Sequence, residues 1–275
     1  MPWLGDVINQ IRGEIERHDN PSEQLKEVLL WRGFLASSNE GQTYLLRGSN
    51  RGDEDDCKTL EELGLDLDRL QDEHFTARVG WGAFTGRQHD AIQKILAIPS
   101  PDGMTDVGFR CNEWRDFRRL KFGYALPTKE CDIGIALLVR TLPFLSVPTR
   151  LSGHGDNDTC HLHIDFDGPY AYHWFRAVFR HKLEGDLGAL AGLFNFQPTP
   201  DDGALALHIG TETEDAQVAF SFFSAGQQLA RLMMNEDFGA EIRQIKHDAC
   251  DHFHGNRIAP TVNAWQAYLA QNNLW

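Results

Sequence analysis

Paired cysteines are missing from this chain. Its five cysteines, Cys57, Cys111, Cys131, Cys160 and Cys250, stand singly, with no CxxC pair and an odd total, which argues against a disulfide framework and for a reducing compartment. Long apolar runs are missing as well, since no stretch approaches the roughly 18 uninterrupted apolar residues of a membrane-spanning helix. Positive charge is scarce: 26 Lys and Arg stand against 40 Asp and Glu, for a formal net charge of -14. Neither extended nucleic acid nor an anionic membrane surface is therefore an expected partner. The opening residues Met1 to Asp6 offer no basic region and no apolar run followed by a cleavage site, so the expected location is the cytoplasm. No Ser lies in a Gly-x-Ser-x-Gly turn and no Gly-rich loop ends in Lys-Ser or Lys-Thr. Both absences count against serine hydrolases and P-loop nucleotidases.

What remains is an ordinary globular composition, 41% hydrophobic and 24% charged over 275 residues, long enough to bury a sizeable core. Helical spacing is expected over Val7 to Arg17, from Pro21 to Phe34, over Leu60 to Leu70, from Tyr170 to about Leu183, from about Gln227 to His254, and over Val262 to Leu269. Strands are expected at Gln42 to Arg47, His74 to Phe84, Thr105 to Cys111, Leu120 to Leu126, Ala204 to Gly210 and Gln217 to Ser224. Arg51 to Asp56 reads as an acidic loop and Ser152 to Asp158 as a Gly- and Asp-rich one, while periodicity leaves Asp132 to Val139 open between helix and strand. The basic run with Arg115, Arg118, Arg119 and Lys121 reads as a solvated helix face. Strands and helices cluster rather than alternate, which predicts an α+β fold with a mixed, largely antiparallel sheet packed with helices. A helical N-terminal subdomain is expected over 1–74 and an α+β main domain over 75–275.

The stretch richest in chemistry is Cys160 to Asp167. Cys160, Leu162, Ile164 and Phe166 alternate with His161, His163, Asp165 and Asp167, so a strand would send one set to the core and gather two imidazoles and two carboxylates on the other face. Three readings follow. His163 and Asp165 form an HxD pair that one distant His would complete into the two-His, one-carboxylate set of non-haem iron, with His208, His252 and His254 as candidates and Arg257 placed to grip a carboxylate co-substrate. Asp165 and Asp167 form a DxD pair able to hold Mg2+ against a nucleotide. This pair resembles the nucleotidyltransferase and primase-polymerase pattern, with Ser152-Gly153 where that pattern has Gly-Ser. His247, Cys250, Asp251 and His254 fall on one face of a continuous helix, a spacing that suits Zn2+.

Together these predict a divalent-metal-dependent enzyme using Fe, Zn or Mg, such as a non-haem iron oxygenase or zinc hydrolase acting on a small molecule. His161, His163, Asp165 and Asp167 are its expected catalytic residues. His163, Asp165, Asp167, His208, His247, Cys250 and His254 are the candidate ligands. The alternatives are a Mg-dependent nucleotidyltransferase-like enzyme and a non-enzymatic acidic regulatory protein that meets a basic partner.

Overall fold

The computed structural model describes residues 2–48, 50–99, 113–119, 126–155, 158–198, 204–255 and 259–272. Two helices open the chain, α1 (Pro2–Ile15) and α2 (Pro21–Arg32). The Asn20 side chain accepts from the Ser22 amide and Pro21 fills the first turn of α2, the arrangement that satisfies otherwise orphaned donors. There follow β1 (Ala36–Asn39), β2 (Gln42–Leu46), α3 (Asn50–Glu62), β3 (Asp66–Arg69), β4 (Phe75–Gly80), α4 (Gln88–Leu96), α5 (Trp114–Arg119) and α6 (Ala136–Thr141). The second half comprises β5 (Thr149–Gly155), β6 (Cys160–Phe166), α7 (Pro169–Val178), α8 (Glu184–Leu187), β7 (Phe194–Pro198), β8 (Leu205–Thr213), α9 (Ala216–Met233), α10 (Glu236–Gly255) and α11 (Val262–Gln271).

The fold is α+β, with two antiparallel four-stranded sheets in the orders β1-β2-β4-β3 and β5-β6-β8-β7. Helix α2 packs on β1 and β2, α9 packs on β8 and β6, and α1 and α6 touch both helices. The helices thus form a shared layer between the sheets. Val28 and Leu29 of α2 and Phe223 and Leu229 of α9 are fully enclosed there, each side chain contributing about 1.5–3 kcal/mol of burial. The expected boundary at 74/75 falls between β3 and β4, which pair from Asp66↔Gly80 to Arg69↔Ala77.

Two arginines run through this layer. Arg32, at the end of α2, donates to the carbonyls of Ile98, Thr128 and Cys131. Arg140 of α6 meets Asp56 of α3 at 2.6 Å and donates to the Gly33 carbonyl at 2.9 Å. Buried charge is tolerated when paired and hydrogen-bonded in this way.

Several local expectations are corrected. Residues 51–56 are helical: Asp53, Asp56, Cys57 and Leu60 are buried at the 3, 4 and 7 spacing of one helix face. That helix stops at Glu62 and does not run to Leu70, because Gly64 takes φ +86, a conformation that ends helices. Gln217 to Ser224 lies in α9, not in a strand. Asp215 accepts from the Gln217 and Val218 amides, and the aromatic Phe222 and Phe223 bury at helical spacing with Ala219 and Gly226. The long C-terminal helix is two helices, with Asn235 accepting from the Phe238 amide to start α10. Residues 152–155 belong to β5, and Asp132 to Val139 resolves into a turn leading to α6. The strand expected over Thr105 to Cys111 lies outside the described residues, as does that over Leu120 to Leu126 except for Leu126. Arg115 and Arg119 of α5 are exposed while Trp114 and Phe117 are buried.

Candidate functional site

Strand β6 alternates as its sequence requires. Cys160, Leu162 and Ile164 are wholly enclosed, whereas His161 and His163 are half-buried on the opposite face. The antiparallel partner β8 sets His208 opposite His163 and Ile209 opposite Leu162, so one sheet face carries three imidazoles. His161 Nε2 and His208 Nδ1 lie 2.8 Å apart. The ring centres are 5.0 Å apart for His161 and His208, 5.5 Å for His161 and His163, and 6.5 Å for His163 and His208.

The field at this face disfavours imidazolium. Burial, then the neighbouring rings of His161 and His163, push the His208 pKa down to about 4, with the Gln197 backbone opposing. Burial and His163 also lower His161, against a smaller opposing effect of Glu212. Neutral imidazoles present free lone pairs, the form that binds metals.

The carboxylates behave differently from the expectation of an open polar face. Asp165 is 2% exposed and lies 3.5 Å from Arg150 Nη2 of β5. Asp167, past the end of the strand, is also 2% exposed. It lines a cavity of about 190 Å³ with Arg150, Phe166, Gly168, Pro169 and Leu205. His208 is as buried as the two carboxylates, at 2% exposure, so the solvent-reachable part of the face is His161 and His163.

Asp132 and His154, which carry no sequence motif, also belong to this neighbourhood. Gly153 pairs with His163, and a Cβ placed on it would stand 3.0 Å from His163 Cε1 and 3.6 Å from Asp132 Oδ2. Asp132 Oδ2 accepts from the His154 amide at 3.3 Å and lies 3.3 Å from His154 Nδ1. The His154 ring is 3% exposed, packed edge-on to Trp3 at 5.5 Å. Neither of its nitrogens finds a well-aligned hydrogen-bond partner among the described residues. Burial holds His154 below the ordinary imidazole range, with Asp132 opposing. A Gly-His-Gly triplet reads as loop, which is why His154 escapes a motif search, and Asp132 becomes visible only once the turn before α6 is placed against β5.

The C-terminal cluster divides. Ile242, Lys246, Ala249 and Cys250 of α10 are buried, while His247 and Asp251 are exposed and approach each other at 3.6 Å. Cys250 therefore belongs to the packed stripe, not to a shared ligand face, and burial pushes its thiol up to about 11. His252 stacks on Tyr268 of α11 at 4.6 Å. His254 is in the last turn of α10, its side chain outside the described set, and Arg257 lies outside the described residues altogether. Helix α10 packs on α9 and on residues 142–145, whereas the imidazole row is carried by β6 and β8.

Among the described residues, no group of three or more His, Cys, Asp or Glu stands where it could hold a metal ion. A cleft of about 750 Å³ lies elsewhere, between β2, β4 and the start of α10, and includes Arg47, His74, Phe75, Phe144 and Arg243. Compared with known proteins, the chain matches no family model, no curated protein and no solved structure.

Proposed function

We propose that this chain is a divalent-metal-dependent enzyme whose ion is held by His161, His163 and His208. The observation that carries the reading is the 2.8 Å between His161 Nε2 and His208 Nδ1. Two nitrogens bound to one ion at about 2.0–2.1 Å stand roughly 2.8–3.4 Å apart for angles between octahedral and tetrahedral. The same distance serves an N–H···N hydrogen bond in the metal-free protein, and both rings would turn from facing each other to face an ion lying off that line. His163 joins by a side-chain rotation, since its ring centre is 5.5 Å from His161 and 6.5 Å from His208.

Imidazole donors suit Zn2+ or Fe2+ better than Mg2+, which takes oxygen ligands. When bound with a coordination position open, such an ion acts as a Lewis acid and lowers the pKa of a water it holds, the chemistry of a hydrolase. The protein's own part is to lower the pKa of His161 and His208, chiefly by burial, and to fix the directions of the imidazoles from two adjacent strands. The Mg-dependent nucleotidyltransferase reading draws less support, because Asp165 has Arg150 beside it.

The test is metal analysis of protein purified without a histidine tag, followed by Zn2+ titration of the chelator-treated protein. One equivalent bound with micromolar or tighter affinity, and lost in His161→Ala and His208→Ala, is the expected result. Failure of the wild type to bind Zn2+, Fe2+ or Co2+ overturns the proposal.

A further inference from the structure

We infer that the cleft between β2, β4 and the start of α10 binds a small organic monocarboxylate with an apolar body. It belongs to the first sheet and stands or falls independently of the imidazole row. Its volume, about 750 Å³, lies within the roughly 300–1,000 Å³ of small-molecule sites. Leu46, Phe75, Phe144 and Met234 line it and are all half-buried. The apolar part of a ligand would complete their removal from water.

Both walls are held from behind. The Phe75 ring packs on Tyr44 with centres 4.8 Å apart, and the Arg47 amide donates to the His74 carbonyl at 2.9 Å. On the other side Asn235 accepts from the Phe238 amide at the start of α10. His74 Nδ1 lies 2.9 Å from Glu236 Oε1 and joins the two walls. A cleft whose shape is already set in this way spares a ligand much of the ordering cost of binding.

The charges of the cleft select the headgroup. Of the described ionisable side chains that line it, only Arg243 is half-buried; the others are exposed. Arg243 Nη1 donates to the Phe144 carbonyl at 2.7 Å. Gly239 leaves room for this, since a Cβ there would stand 3.1 Å from Arg243 Nη1. Burial lowers the Arg243 pKa, with Glu236 opposing, so its guanidinium is partly stripped of water and gains from an anion. The planar fork of such a group matches a carboxylate. Arg47, exposed at the end of β2, adds a second positive charge. The acidic members, Glu73, Glu236 and Asp237, are exposed, and Glu236 is paired with His74. They limit how much negative charge the cleft accepts: one carboxylate fits where a di- or triphosphate would meet like charges.

Calorimetric titration of the full chain with decanoate, decanol and decylammonium tests the assignment. One decanoate binds per chain, and the neutral and cationic analogues bind at least about 10-fold more weakly. Arg243→Gln weakens decanoate about 10-fold and leaves decanol unchanged, a split that a merely structural role would not produce. Ala240→Trp, at an exposed position of α10 that lines the cleft, abolishes decanoate binding by filling it. Thermal melts confirm that each variant is folded. Equal affinity for decanol and decanoate, or a preference for decylammonium, would overturn the carboxylate class. Unchanged affinity in folded Ala240→Trp would place binding outside the cleft, and no saturable binding of decanoate by wild type up to about 1 mM would remove the site altogether.

Discussion

His163 is the register partner of His208, yet His208 Nδ1 approaches Nε2 of His161, two residues away along the strand, at 2.8 Å. The diagonal pair is therefore the coupled one. In chelator-treated protein, a double-mutant cycle in urea on His161→Ala and His208→Ala should return a coupling of about 1 kcal/mol, while His163→Ala and His208→Ala should add within about 0.5 kcal/mol. Equal couplings in both cycles would contradict the diagonal arrangement.

Stability should fall in mild acid. His208 titrates at about 4 in the fold against an ordinary 6.5, so between those values the unfolded chain takes up a proton that the folded chain refuses. Stability from this group is complete above pH 6.5 and is lost as pH falls toward 4, by up to about 3 kcal/mol. His161 and His154 are lowered in the same direction, chiefly by burial. Urea midpoints measured from pH 7.5 to 4.5 should show a shallower decline in His208→Asn than in wild type, and parallel curves would exclude His208 as a source.

Asp53 should act with the opposite sign. Burial pushes its carboxyl up to about 6 from 3.8, despite the Gly48 amide that donates to it at 2.9 Å. The folded state then binds the proton more tightly than the unfolded one, and stability is lost as pH rises from 3.8 through 6. Asp53→Asn keeps an acceptor for Gly48 and removes the buried charge. It should stabilise the protein by about 1–2 kcal/mol at pH 8 and change little at pH 4, a difference that thermal melts at the two pH values will show or refute.

Removing one partner of the enclosed Asp56–Arg140 pair, whose side chains are 6% and 1% exposed, should be severe. Asp56→Ala leaves an uncompensated guanidinium and should cost about 3–5 kcal/mol. Arg69, on the surface between Glu54 and Glu61, provides the control: Arg69→Ala should cost less than about 1 kcal/mol. Chemical denaturation of the two variants side by side decides, and comparable losses would mean that burial is not what matters.

The imidazole row was legible because a strand repeats every two residues. The alternation of Cys160 to Phe166 placed His161 and His163 together, and a strand ending near Gly210 made His208 a candidate neighbour. Elsewhere local pattern competed with tertiary context. Phe220, Phe222 and Phe223 favour a strand by propensity, but capping by Asp215 and burial against α1 and β8 make them helical. His247 and Cys250, three apart, straddle the edge of the buried stripe of α10, and a spacing rule cannot see where that edge falls. Asp132 meets His154 through a turn and an edge strand whose relative placement no periodicity encodes.

Helix α2 is made well before the groups that satisfy it. The Gly33 carbonyl just past its end waits 107 residues for Arg140, the Leu30 carbonyl 197 residues for Gln227, and Glu27 204 residues for Arg231. Such long sequence separations slow folding, because loop closure must precede the contacts that reward it. Helix α2 therefore stays incompletely packed during synthesis until the segments carrying Arg140, Gln227 and Arg231 have been made.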